Sequence, residues 1–174
     1  PAFQQAAFDH VGLPVRYEVM DVPPKELAAA VAALRADADV IGANVTIPHK
    51  VAAMDLVDDP GNIRGTIGAM NTIVRQPDGA LIGTNTDAGG FYAPLGQSDF
   101  AGADVAVIGA GGAARAVLFA LSRMDVASVT IHARSPLKAM GLLAAFGLKG
   151  QVRGMADAAG LRLGGDLAEP AFRS

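Results

Sequence analysis

Short runs of β-branched residues alternate with alanine-rich stretches of helical length along most of this chain, the pattern of an α/β protein with parallel strands. Residues 2–10 read as a helix, 15–19 as an extended segment and 24–36 as a second helix. Two prolines fall in the first turn of that second helix, where a missing N–H costs nothing. Residues 40–45 read as a buried strand. Pro48 follows it, and the helix-like stretch 49–57 puts Lys50 in a first helical turn. Residues 67–74 and 80–84 flank the turn triplet Pro77-Asp78-Gly79 and predict a hairpin.

A helix over 87–96 is expected to leave the first domain, and the polar, glycine-bearing stretch 97–102 is the expected boundary, dividing the chain into 1–97 and 98–174. Past it, 104–108 and 128–132 read as strands and 112–124 and 136–146 as helices, a βαβ unit with its next crossover. That is only half of a dinucleotide fold made of two such units. The second domain is therefore expected to be Rossmann-like but incomplete, as though the chain stops early. Residues 155–174 hold few β-branched positions and the pair Gly164-Gly165, and they carry no assignment.

Composition narrows the choice of partner. Half of the 174 residues are apolar (51%), enough for one ordinary domain or two small ones. The 14 basic and 17 acidic side chains are spread along the sequence for a net charge of −3. With no basic block to neutralise phosphates or anionic lipid, neither nucleic acid nor a membrane surface is an expected partner. The sequence contains no cysteine, which excludes disulfides, thiolate metal ligands and thiol nucleophiles. No apolar run of about twenty residues is present, and Pro1-Ala2-Phe3 lacks the basic start and apolar core of a signal peptide. The expected location is the cytoplasm. The absence of an initiating Met suggests that residues precede Pro1. Oligomeric state is not readable, with a homodimer as an open option.

Gly109-Ala110-Gly111-Gly112-Ala113-Ala114 lies between a predicted strand and a predicted helix and fits G-x-G-x-x-A in the context that gives this motif meaning. The first glycine allows the tight turn, the second a close approach of main chain to pyrophosphate, and the small Ala114 a close packing of helix on strand. N–H groups at the helix start would hold the phosphates. The bland alternative is an ordinary turn in a protein rich in glycine and alanine. At the end of the second strand, where an NAD-binding chain usually places an acid, Ile131-His132-Ala133-Arg134-Ser135-Pro136-Leu137-Lys138 has none. Arg134, Ser135 and Lys138 suit a 2′-phosphate instead, because guanidinium matches phosphate with paired donors. NADP is favoured over NAD, against the alternative of a solvated basic helix start.

Three segments place polar side chains where an apolar strand gives way to a loop: Asn44-Val45-Thr46-Ile47-Pro48-His49-Lys50, Gly68-Ala69-Met70-Asn71-Thr72 and Gly83-Thr84-Asn85-Thr86-Asp87. Strand ends are where α/β sheets bind ligands, and a small polyol acid needs such donors and acceptors. Singly, each has a plainer reading. Asn44 and Asn71 could serve turns, Thr46 could line a strand, Lys50 could be a solvated cation, and Asp87 is a natural helix N-cap.

Together with Gly-Ala-Gly-Gly-Ala-Ala-Arg, and in this order and spacing, these segments make the chain resemble the shikimate dehydrogenases over nearly everything up to about residue 146. The resemblance implies that Lys50 and Asp87 are the catalytic pair, that Thr46 and Asn71, with Asn44, hold substrate hydroxyls, and that Gly109, Ala110, Gly111, Gly112 and Ala113 cradle the NADP pyrophosphate. The nucleotide-specificity stretch of that family usually reads Asn-Arg-Thr with a later Arg. Here Ala133, Arg134, Ser135 and Lys138 stand in those places. The family's carboxylate-gripping Ser-x-Ser would lie just before Pro1, and its later strand motif and returning helices with a substrate-binding Gln are absent from the sequence. The implied reaction is the reversible reduction of 3-dehydroshikimate to shikimate, with Lys50 as proton donor and no metal. The alternatives are an NAD-accepting quinate/shikimate dehydrogenase and a truncated remnant that binds without turnover. His49 reads as a surface or supporting residue.

Overall fold

A computed structural model of the chain describes residues 2–58, 61–95 and 98–160. Helix α1 (Ala2–His10) opens the chain, followed by a 3₁₀ turn (Pro24–Glu26) that runs into helix α2 (Leu27–Ala36). Strand β1 (Gly42–Asn44), a second 3₁₀ turn (Ala52–Asp55) and the short helix α3 (Ile63–Thr66) lead to the hairpin of β2 (Thr72–Arg75) and β3 (Leu81–Thr84). Helix α4 (Asp87–Leu95) then precedes β4 (Asp104–Ile108), α5 (Gly112–Leu121), β5 (Ser128–Ala133), α6 (Pro136–Ala145) and β6 (Gly150–Gly154). Among the described residues, no helix is long and apolar enough to cross a membrane.

Two sheets result. In the second, β5 lies between β4 and β6 and all three run parallel, as expected of strands joined by crossover helices. The first departs from the parallel expectation at β1, which pairs antiparallel with β2, Ala43 opposite Ile73, whereas β2 and β3, with Ile73 opposite Gly83, form the expected hairpin. The hairpin has a local cause. Gly79 takes φ +88°, its N–H donates to the Gln76 carbonyl at 2.9 Å, and Asp78 Oδ1 accepts from the Ala80 N–H at 3.0 Å, so the chain reverses directly between β2 and β3.

Two further expectations need correction. The strand predicted over 40–45 is only Gly42–Asn44 and is half-buried at most, because it pairs on one side alone among the described residues. The helix predicted over 49–57 is a 3₁₀ turn that begins at Ala52, so Lys50 sits in the turn before it. The Lys50 carbonyl accepts the Met70 N–H at 2.7 Å and is thereby withdrawn from any i→i+4 ladder, while the Met54 N–H turns to Val51 at 3.3 Å. The extended segment 15–19 joins no described sheet. Strand β6 has no counterpart in the sequence reading, and the tail beyond 160, with Gly164-Gly165, lies outside the described residues.

Two apolar clusters hold these layers. One gathers Val31, Ala53, Met70, Ile73 and Leu81, and the other Leu118, Val129, Ile131, Ala139 and Leu142. Helices α4 and α5 pack on one another and serve both clusters: Ala88 and Ala116 are buried in the first, while Phe91 and Leu118 belong to the second. The glycine turn that opens α5 is thus held beside the loops of the first sheet.

Candidate active site

Main-chain bonds stitch the three polar segments together before any side chain is considered. The Val45 N–H donates to the Asn71 carbonyl (2.7 Å), the Met70 N–H to the Lys50 carbonyl (2.7 Å) and the Asn71 N–H to the Thr84 carbonyl (3.1 Å). Lys50, Asn71 and Asp87 are therefore delivered to one place from three loops.

There, Lys50 Nζ donates to Asp87 Oδ2 at 2.5 Å, with only 16% of the lysine side chain and 29% of the aspartate side chain accessible. The other carboxylate oxygen, Oδ1, accepts from Asn71 Nδ2 at 2.8 Å. Such charge-assisted bonds in a partly desolvated setting are stronger than neutral ones and hold both ions in fixed orientation. The helix-cap role that sequence offered Asp87 belongs to Asn85, whose Oδ1 accepts the Ala88 N–H at 3.2 Å while its Nδ2 donates to the Ala69 carbonyl at 2.7 Å. The Asp87 carboxylate is left for Lys50 and Asn71.

Asn71 is fixed from both sides, since its Oδ1 accepts from the Thr86 N–H (2.9 Å) and the Thr72 hydroxyl (3.0 Å). Asn44 joins this network through Thr72 Oγ1 at 3.3 Å. Thr46 lies on the same loop as Lys50, exposed, and its hydroxyl has no partner among the described residues. His49 turns away, its Nε2–H donating to the Val22 carbonyl at 2.6 Å, which anchors the loop. Sequence reasoning gave no role to Thr72, Thr86, Asn85 or Tyr17. The first three stood inside the polar segments, whereas nothing local marks Tyr17, whose partner Asn44 is 27 residues away.

The glycine turn meets the pair from the other side. Gly109 has φ +106°, open to glycine without strain, and donates its N–H to the His132 carbonyl at 2.8 Å. A Cβ built on Gly109 or on Gly111 would meet nothing within 4 Å. No acceptor meets the N–H groups of Gly112, Ala113 or Ala114 among the described residues, so the start of α5 offers free donors and the positive end of a helix to an anion. These features fit a pyrophosphate. Gly112 touches the Lys50 stem: a Cβ there would lie 2.8 Å from Lys50 Cβ and 3.2 Å from Cδ.

Arg134, Ser135 and Lys138 are exposed where β5 ends and α6 begins. Ser135 occupies the N-cap position of α6 yet makes no capping bond through its hydroxyl, and neither basic side chain is ion-paired among the described residues. The donor set fits a 2′-phosphate. No cluster of three or more potential metal ligands occurs among the described residues.

Known proteins resemble this chain in sequence and fold. The sequence profile of the shikimate dehydrogenase substrate binding domain matches residues 1–73. Over 144 residues the chain is 67% identical to the shikimate dehydrogenase (NADP(+)) of Sphingopyxis alaskensis, an alignment that takes in 83% of this chain and 53% of that one. It superposes with a TM-score of 0.74 on shikimate 5-dehydrogenase from Thermus thermophilus in complex with NADP(H) and shikimate, at 37% identity over 86% of this chain and 56% of the other. A ligand-free 5-ketofructose reductase of a Gluconobacter strain matches at TM-score 0.72 and 37% identity, over 88% of this chain and 56% of its own. The chain spans about half the length of the curated relatives it matches.

Proposed function

The chain belongs to the shikimate dehydrogenase family, and on that premise we propose that it serves the NADP-dependent, reversible reduction of 3-dehydroshikimate to shikimate in the formation of aromatic amino acids. In this reading residues 1–97 hold the substrate and residues 98–174 the nucleotide. A cytoplasmic location goes with a diffusible nicotinamide cofactor.

The observation that supports it most is the Lys50–Asp87 pair at 2.5 Å, set against the Gly112 main chain. It puts a proton donor beside the turn suited to the dinucleotide. When bound, NADPH supplies the hydride that the carbonyl carbon accepts. The Lys50 ammonium stabilises the negative charge that gathers on the carbonyl oxygen and then gives that oxygen one Nζ proton, which leaves the hydroxyl of the product and a neutral lysine. Asp87 keeps the ammonium in place, and Asn71 keeps Asp87 in place, so neither ion needs to reorganise as the charge develops. Run backwards, neutral Lys50 takes the proton from the substrate hydroxyl. Asn44 and Thr46 supply donors and acceptors that a polyhydroxy acid requires, and Asn71, whose amide is bonded to Asp87, Thr86 and Thr72, joins them by exchanging one of those bonds for the ligand.

Gly109, Ala110, Gly111, Gly112 and Ala113 would cradle the pyrophosphate, with the free N–H groups of Gly112 and Ala113 as donors while the Gly109 N–H stays on the His132 carbonyl, and Arg134, Ser135 and Lys138 would hold the 2′-phosphate. The Thermus thermophilus relative is described with NADP(H) and shikimate bound, which supports both halves of this assignment.

The test is an absorbance assay of reduced nicotinamide with shikimate and quinate, each with NADP and with NAD. Turnover of shikimate with a clear preference for NADP is expected. Absence of turnover with all four combinations, despite measurable shikimate binding, would leave a binding protein instead.

A further inference from the structure

The bonding around Asp87 has a direction that can be followed atom by atom outward to Tyr17. Asn71 is the fixed point. Its Oδ1 lies 2.9 Å from the Thr86 N–H, which can only donate, and its Nδ2 lies 2.8 Å from the Asp87 carboxylate, which only accepts when ionised. The amide cannot be turned over. Thr72 Oγ1, 3.0 Å from that same Asn71 Oδ1, must spend its single proton there. Its lone pair is then what faces Asn44, so Asn44 presents Nδ2 to Thr72 at 3.3 Å and Oδ1 to the other side. On that side stands the Tyr17 hydroxyl at 2.8 Å, which is obliged to donate.

Tyr17 is itself placed with care. Gln5 on α1 accepts the Tyr17 N–H at 2.7 Å and donates to the Val15 carbonyl at 3.0 Å, and the Phe8 ring packs on the Tyr17 ring with centroids 6.3 Å apart. Helix α1 buries no residue among those described. What it contributes is the position of this phenol.

We infer that Tyr17 is a positioning residue for substrate: its hydroxyl locks the Asn44 amide so that the second Nδ2 proton, and not the carbonyl oxygen, faces the ligand space. The inference rests on the reading of this site as one that takes shikimate. Asn44 is exposed and uses one amide proton on Thr72, which leaves the other for an acceptor oxygen of the ligand. Without the phenol, the Asn44 side chain is held at one end only, and the ligand must immobilise it on binding.

The experiment compares wild type, Tyr17→Phe, Asn44→Ala and the double variant in steady-state kinetics with shikimate and NADP. Phenylalanine keeps the contact with Phe8, so thermal midpoints are expected to match wild type. Tyr17→Phe should raise KM for shikimate about threefold to tenfold, the scale of one neutral hydrogen bond, with kcat within about twofold. In the Asn44→Ala background the same substitution should add nothing, because the atom it acts through is gone. An unchanged KM, an equal rise in both backgrounds, or a fall in kcat at constant KM would overturn the inference while leaving shikimate turnover by wild type intact. Failure of wild type to turn over shikimate would instead remove the functional premise.

Discussion

The Lys50 side chain runs along Gly112 so closely that its Cβ would come within 2.8 Å of a Cβ on that glycine. The clash would fall on the root of the lysine, where no rotamer change relieves it, so either the loop or the glycine turn has to move. Gly112→Ala is expected to keep the fold, since alanine suits the first turn of a helix, and to lower kcat/KM for shikimate by about 10²-fold, the typical effect of an ångström-scale misplacement. Parallel melting curves and kinetics check it. Wild-type kinetics in a folded variant would show that the Lys50 stem is not held by this contact.

Lys50→Met keeps an unbranched stem against Gly112 and removes only the ammonium. The expected result is a fall in kcat of about 10²–10⁴-fold, the range for loss of a proton-transfer group, with NADP affinity changed little in a fluorescence titration. An equal loss of cofactor binding would contradict the assigned role, because it would mean that the charge serves the nucleotide.

Arg134→Ala separates the two nicotinamide cofactors. The guanidinium is exposed at the end of β5 with no ionic partner among the described residues, so removing it breaks no structural bond. A hydrogen bond to a charged group contributes about 1.5–3 kcal/mol, hence a rise of about 10- to 100-fold in KM for NADP is expected. NAD, lacking the 2′-phosphate, should be affected far less. Ratios of kcat/KM for the two cofactors measure the difference, and equal losses for both would sink the assignment.

Much of the second sheet was legible because its strands read as short apolar, β-branched runs: β4 falls on residues 104–108 as expected although only Val107 in it is buried, and the buried central strand β5 extends the expected strand only to Ala133. β6 escaped notice because Gly150-Gln151-Val152-Arg153-Gly154 is polar and edge-like, and because Gly150 is demanded by neighbours. A Cβ there would lie 1.8 Å from the Val129 carbonyl oxygen. The Lys50 turn reads locally as helix since the bond that stops it comes from Met70, twenty residues on, and local propensity carries no trace of it. In the site, the motifs brought Lys50, Asn71 and Asp87 into view. The direction of the bonding, and the Asn85 cap that frees Asp87, needed coordinates.

A last prediction concerns acid stability, and it turns on Asp58. Its Oδ2 accepts from Arg35 Nη1 at 2.5 Å and from the Leu81 N–H at 2.7 Å, while its own N–H donates to the Leu81 carbonyl at 2.9 Å, so one side chain ties α2 to the start of β3. The Arg35 hydrogen bond, then the Leu81 N–H, hold the carboxyl below its ordinary value of 3.8. A carboxyl depressed in the folded state contributes stability in full above the unfolded value, and that contribution disappears as pH falls through the folded one. Asp58→Asn should therefore lower the thermal midpoint at neutral pH, with the gap between variant and wild type closing as pH drops below about 3.8. Leu81 can still donate to an amide oxygen, so that hydrogen bond is common to both proteins and the part of the gap that closes in acid reports the charge. A gap of constant size from neutral pH into strong acid would mean that the charge on Asp58 contributes nothing to holding α2 against the first sheet.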